Sequence, residues 1–141
     1  MRQGAVIGLV VLAILGGCRR GTPEQRIAAA FGRCVQAVEA GDPGGVLEVL
    51  SPAFSGPEGM DRGAAQLFLA GVLRREKVGV TVISQRLELD GQRALQQVDV
   101  LLTGRSGGEL LPRDGSRRSF LIRWELRDGQ WRIREVQETA G

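Results

Sequence analysis

The sequence predicts an α+β domain, with N-terminal helices packed on a curved, four-stranded antiparallel sheet. Apolar residues recur at three- and four-residue spacing as far as Leu73, then at two-residue spacing after Lys77. Helix-start signals at Thr22-Pro23, Asp42-Pro43 and Asp61 precede the helical stretches. Two Asp-Gly pairs, Asp90-Gly91 and Asp128-Gly129, punctuate the alternating part at hairpin positions. Helices first and hairpin-linked strands after is the α+β order, with the helices covering one face of the sheet.

The elements follow in sequence. Thr22 can cap the first helix, Pro23 suits its first position, and Gln25 can close a capping box. Ile27, Phe31, Cys34, Val35 and Val38 form its apolar stripe, and Gly41 ends it. Asp42-Pro43 starts a shorter helix that buries Val46, Leu47 and Leu50, and Ser51-Pro52 stops it. A loop through residues 55–59 leads to a third helix capped by Asp61. Its expected buried stripe is Ala64, Leu67, Phe68 and Val72, flanked by Leu69 and Leu73.

In the first strand, Val78, Val80 and Val82 alternate, then Ile83, Leu87 and Leu89 continue on the other parity. A bulge near Val82-Ile83 accounts for the switch. The second strand spans 94–103, with Val98, Val100 and Leu102 on one face. A Gly-rich connection over 104–116 follows, carrying Gly107-Gly108, Pro112 and Asp114-Gly115. Phe120, Ile122, Trp124 and Leu126 alternate along the third strand, which opens on Arg117-Arg118. Trp131, Ile133 and Val136 mark the fourth.

The N-terminus reads as a targeting segment. One charge at Arg2 is followed by an almost wholly apolar run from Gly4 to Leu15, shorter than the ~20 residues a spanning helix needs. Leu15-Gly16-Gly17-Cys18 then resembles the lipobox of bacterial lipoproteins: an aliphatic residue, two small ones and an obligatory Cys. That resemblance implies cleavage before Cys18 and lipid attachment, with palmitate-type acyl chains, on the Cys18 thiol. It also implies that Arg19, where an Asp would favour inner-membrane retention, directs the protein to the periplasmic side of the outer membrane. The expected organisation is a signal peptide over 1–17, a lipidated N-terminus and tether over 18–22, and one domain over 23–138.

Composition limits the chemistry. The chain of 141 residues contains no His and no Tyr, which excludes His-based triads, zinc hydrolase sites and His metal sensing. The net charge is +3 and the Arg residues are dispersed, so nucleic acid is not an expected partner. Only Cys18 and Cys34 are present, so no disulfide framework exists once Cys18 is lipidated. No cofactor or metal site is expected.

The stretch Arg127-Asp128-Gly129-Gln130-Trp131-Arg132-Ile133, a charged hairpin entering a Trp-x-Ile last strand, resembles the nuclear transport factor 2-like (SnoaL-like) superfamily. So does the order of helices and strands from Pro23 to Glu138; a cystatin-like helix-on-sheet fold is the near neighbour. The resemblance implies a long helix, two shorter ones and a strongly bent sheet, with a pocket between them. Ketosteroid isomerases and dehydratases of this superfamily place Asp, Tyr or His in that pocket. It further implies pairing of two copies through the outer sheet face, where Leu95, Leu101 and Leu121 lie among Gln97, Asp99, Arg123 and Glu125.

Asp99 is the one carboxylate interrupting the apolar second strand, and therefore the candidate base. Its parity sets it opposite Val98 and Val100, which favours an outer-face charge ladder over catalysis. Cys34 on an apolar helix stripe reads as a core residue rather than a reactive thiol. Trp124 and Trp131, at alternating strand positions, likewise read as core. Gly107-Gly108 and residues 41–45 lack the Lys-Ser/Thr of a phosphate loop. No catalytic residue is assigned. The expected function is a lipid-anchored cell-envelope protein whose domain binds a small apolar ligand or an envelope protein partner without catalysis. The alternatives are an isomerase- or dehydratase-like enzyme using Asp99, and a structural envelope-assembly accessory.

Overall fold

The computed structural model describes residues 21–106, 109–111 and 117–139. The signal segment and Cys18 lie outside the described residues, as do Gly107-Gly108, Pro112 and Asp114-Gly115 of the long connection.

Helix α1 spans Pro23–Glu39 and starts as its sequence dictates. Thr22 Oγ1 accepts the Gln25 N–H at 3.1 Å while Gln25 Oε1 accepts the Thr22 N–H at 3.0 Å, so both orphan donors are satisfied. Ile27 and Ala30 are buried under it, with Phe31 and Cys34 packed against the same core. Gly41, at φ +69°, lets the chain turn directly into Asp42, which caps helix α2 (Pro43–Val49) through the Gly45 N–H. The two helices approach closely at Gly45, where a β-carbon would stand 2.8 Å from the Ala37 methyl.

Two sequence expectations change here. Ser51-Pro52 does not lead into a loop: Leu50–Ser55 forms strand β1, parallel to the last strand with Leu50 opposite Ile133. This strand is at the sheet edge and pairs irregularly between Leu50 and Ser55, a setting in which Pro52 is tolerated. A 3-10 turn, Pro57–Gly59, leads to helix α3 (Arg62–Arg75), capped by Asp61. The buried stripe of α3 is also rotated from the expected one. Ala65 is buried and Leu69, Val72 and Leu73 are half-buried, whereas Leu67 and Phe68 are 77 % and 56 % exposed. Apolar residues surround this helix almost completely, so their spacing fits either face.

Strands β2 (Lys77–Asp90), β3 (Arg93–Ser106), β4 (Glu109–Leu111), β5 (Arg117–Arg127) and β6 (Gln130–Thr139) complete the sheet. Among the described residues it has six strands, in the order β1-β6-β5-β3-β2 with β4 on the end of β3, rather than the expected four. The additions are β1 and β4; β3 also runs past Thr103 to pair with β4. The bulge expected near Val82-Ile83 is present, with Ile83 as the extra residue between the Val82–Val100 and Ser84–Asp99 pairs. A second bulge at Arg134 lies between the Arg123–Glu135 and Trp124–Ile133 pairs. Bulges increase local twist and bend, which gives the sheet a concave side for the helices. Both hairpins form. The first turns one residue later than expected, through Gly91-Gln92, with Gly91 at φ +60° and Asp90 already paired with Arg93; the second turns through Asp128-Gly129, at φ +52° and +76°, the signs of a type I′ turn.

The core fills the concave side. Ile27 and Ala30 of α1, Phe54 of β1, Val98 and Val100 of β3, and Ile122 and Trp124 of β5 are buried in one cluster. This sheet, its bulges and its helix layer together make the α+β architecture that the sequence predicts.

Candidate functional site

The sheet has two chemically different faces. On the convex outer face the polar residues of β3, β5 and β6 stand in cross-strand rows. Arg123 meets Glu135 at 3.6 Å, and Glu125 meets Arg127 at 3.2 Å and Arg134 at 3.5 Å. Ser51 of β1, fully buried, donates to Glu125 Oε2 at 2.8 Å. This network ties the edge strand β1 to the middle of the sheet.

Asp99 belongs to this outer face. Ser119 Oγ donates to its Oδ1 at 2.6 Å, Ser84 Oγ to its Oδ2 at 3.0 Å, and an Arg117 guanidinium N–H to the same oxygen at 3.4 Å. The Ser119 hydroxyl first, then that of Ser84, hold the carboxyl below its ordinary value of 3.8; burial opposes them and Arg117 assists. A carboxylate so stabilised is a weak base, and its lone pairs are occupied by fixed donors.

The concave face carries a polar feature that the sequence reading passed over. Gln96 shares the parity of Ala94, Val98 and Val100 and is buried among them. Its Oε1 accepts the Trp124 indole N–H at 2.9 Å, and its Nε2 donates to Gln85 Oε1 at 3.0 Å. The signal was present: a carboxamide on the apolar parity of β3 needs partners. At the open end of the same face, Arg118 and Glu138 form a half-exposed ion pair at 3.1 Å beside Phe120. Arg118 is therefore paired between neighbouring strands.

Cys34 packs on the core side of α1, and burial pushes its thiol up to about 11. It is protonated at neutral pH, as a structural thiol would be. Trp124 and Trp131 are both core residues.

A third feature lies at the side of the helix layer. Between α1, α2 and the starts of α3 and β6 is a hollow of about 640 Å³, lined by Arg26, Arg33, Arg62, Arg132 and Glu48, with Ala29, Ala30, Val49 and Trp131 as apolar surface. The guanidiniums of Arg26, Arg62 and Arg132 donate to the backbone carbonyls of Gly129, Leu47 and Glu48 respectively. Among the described residues none of these four arginines forms a carboxylate ion pair, whereas Arg117, Arg118, Arg123, Arg127 and Arg134 all do. The indole N–H of Trp131 and the Nε of Arg62 are buried without an acceptor. Helical spacing sets Arg26 and Arg33 on one side of α1, but sequence reasoning could not add Arg62 of α3 and Arg132 of β6, which only the tertiary fold brings to them.

No family model and no characterised protein matches the sequence. The fold is nuclear transport factor 2-like, as the solved structures show. The chain is similar to a nuclear transport factor 2-like protein from Cytophaga hutchinsonii, with a TM-score of 0.70 at 15% identity over 86% of this chain and 100% of that one. It is similar to a protein from Novosphingobium aromaticivorans provisionally named a scytalone dehydratase, with a TM-score of 0.69 at 14% identity over 83% and 84% of the two chains. It is also similar to a protein from Xanthomonas campestris provisionally named a calcium/calmodulin-dependent kinase II association domain, with a TM-score of 0.67 at 18% identity over 86% and 89%. Enzyme and association domain share this fold, so function must be argued from the site.

Proposed function

We propose that this protein is a lipid-anchored component of the bacterial cell envelope whose nuclear transport factor 2-like domain binds a ligand or partner without catalysing a reaction. One observation carries the non-catalytic reading: Asp99 stands on the outer face, held ionised by Ser84, Ser119 and Arg117. The concave face between helices and sheet is filled by Gln96, Trp124 and apolar side chains. The anchor rests on the Leu15-Gly16-Gly17-Cys18 segment and the apolar run before it. Anchoring through two or three acyl chains would hold the domain at the membrane surface, because each buried methylene adds ~0.8 kcal/mol. Arg19 after the Cys supports the outer membrane as its place.

The outer face also supports self-association. Leu95, Leu101 and Leu121 are half-buried there among Gln97, Arg123 and Glu135, a mixture of apolar centres and polar partners that suits an interface.

The enzyme reading is tested with a β,γ-unsaturated ketone, whose isomerisation needs one carboxylate base. The full-length protein should not accelerate it above buffer. Turnover that falls about a thousandfold, ~4 kcal/mol, in Asp99→Asn would restore the isomerase-like alternative.

A further inference from the structure

The geometry points to the arginine-walled hollow as a binding site for a ligand that carries a phosphoryl group and a small apolar body. The inference deepens the proposed binding function and rests on it, by naming the chemistry of what is bound.

Four arginines and a single carboxylate, Glu48, line one concavity, an excess of three positive charges. Three of them are fixed in place through backbone carbonyls, and so are preorganised while their charge remains uncompensated. A planar guanidinium presents paired N–H donors that match the oxygens of a phosphate. Arg33 is exposed and forms no hydrogen bond with the described residues, which leaves its whole donor set for a ligand. The second, independent observation is Trp131. It is 5 % exposed, it lines the hollow, and its indole N–H has no acceptor. Buried donors are almost always satisfied, so an orphan indole donor in a residue that lines a cationic hollow leaves room for an acceptor that comes with the ligand. The Nε of Arg62, at the start of α3, is likewise buried without a partner.

Size and lining define the rest of the ligand. The hollow of about 640 Å³ far exceeds one phosphate ion. Ala29, Ala30 and Val49 add apolar surface beside the charges, which suits an aliphatic or aromatic body. The phosphoryl group can come from a free phosphate ester or from a lipid headgroup, and the two sources share the chemistry of the site.

The test uses the full-length protein in an uncharged detergent, labelled with ¹⁵N at its tryptophans. Its two indole resonances belong to Trp124, whose N–H is held by Gln96, and to Trp131. Phenyl phosphate should move the Trp131 resonance saturably and leave that of Trp124 in place. Arg33→Gln, a change at an exposed residue, should weaken the response about tenfold, and Arg33→Gln with Arg132→Gln should abolish it. A response to phenyl phosphate identifies a free ester as a sufficient ligand. A response confined to short-chain phosphatidylglycerol in the micelle assigns the site to a headgroup. The inference is overturned if neither moves the resonance beyond sodium chloride of equal ionic strength, or if the shifts persist unchanged in the double variant. Membrane attachment through Cys18 is read separately by fractionation, so failure of the anchor and failure of this site are told apart.

Discussion

Trp124 Nε1 donates to Gln96 Oε1 at 2.9 Å, and the two side chains are 1 % and 3 % exposed beneath α1. The bond links the central strands β3 and β5 across the concave face. Replacing Gln96 by Leu keeps the bulk and removes the acceptor, leaving a buried indole N–H unsatisfied. The expected loss is about 1–3 kcal/mol in urea unfolding. Removing the donor as well, in Gln96→Leu with Trp124→Phe, should cost less than the sum of the two single changes. Additive losses would show that the bond contributes nothing of its own.

Asp99 gives a prediction in acid. Its carboxyl is held below 3.8 in the folded protein, chiefly by Ser119 and Ser84. A carboxyl with a depressed folded value contributes stability above its unfolded value, and the contribution is lost as pH falls through the folded one. The stability advantage of the natural protein over Asp99→Asn should be full at pH 7 and shrink below about 4. Paired denaturation curves at the two ends of that range check it. An advantage independent of pH would remove the ionised carboxylate from the explanation.

Cys34 predicts the opposite limb. Its thiol is pushed up to about 11, from an ordinary value of 9.0, by burial. Between those values the unfolded chain gives up the proton and the folded one keeps it, so stability falls as pH rises through this window. Cys34 keeps part of its surface in contact with solvent, so the loss is a modest one, read from a pH series of unfolding curves. Cys34→Ala should flatten that slope when unfolding is measured from pH 8 to 11. At pH 8 the thiol should react with a maleimide far more slowly in the native than in the denatured protein.

Leu121 tests self-association. It lies opposite Gln97 and Gln137 on the outer face, one row from the Leu95–Arg123 pair. The protein in uncharged detergent should sediment as a dimer, and Leu121→Asp should convert it to monomer by placing a charge at the centre of the contact. A monomer at high micromolar concentration, or a dimer unaffected by the change, would reject the interface.

Much of this architecture was legible because local signals and global fold agree. The Thr22-Gln25 capping box, the Asp42 and Asp61 caps, the period change at Lys77, the Ile83 bulge and both Asp-Gly hairpins are local devices with strong residue preferences. Strand β1 was hidden because Leu50–Ser55 contains Pro52 and pairs with β6 through two separated positions, a contact set by distant sequence. Helix α3 was misread because two apolar stripes compete on one short helix, and packing against α2 and β1 selects the one through Ala65. The outer-face position of Asp99 followed from strand parity. Gln96 could have been found by the same parity argument. The arginine hollow could not, since only tertiary folding brings Arg26, Arg33, Arg62 and Arg132 together.

The envelope location and the binding role at a membrane both depend on the proposed lipid anchor at Cys18. Mass spectrometry of the membrane fraction from cells expressing the full-length chain tests it most directly. The membrane fraction should yield a mature N-terminal peptide that begins at Cys18 and carries the mass of two or three acyl chains, and a Cys18→Ser protein should leave that fraction. An unmodified Cys18 within an uncleaved N-terminus, or a Cys18→Ser protein that stays equally membrane-bound, would contradict it.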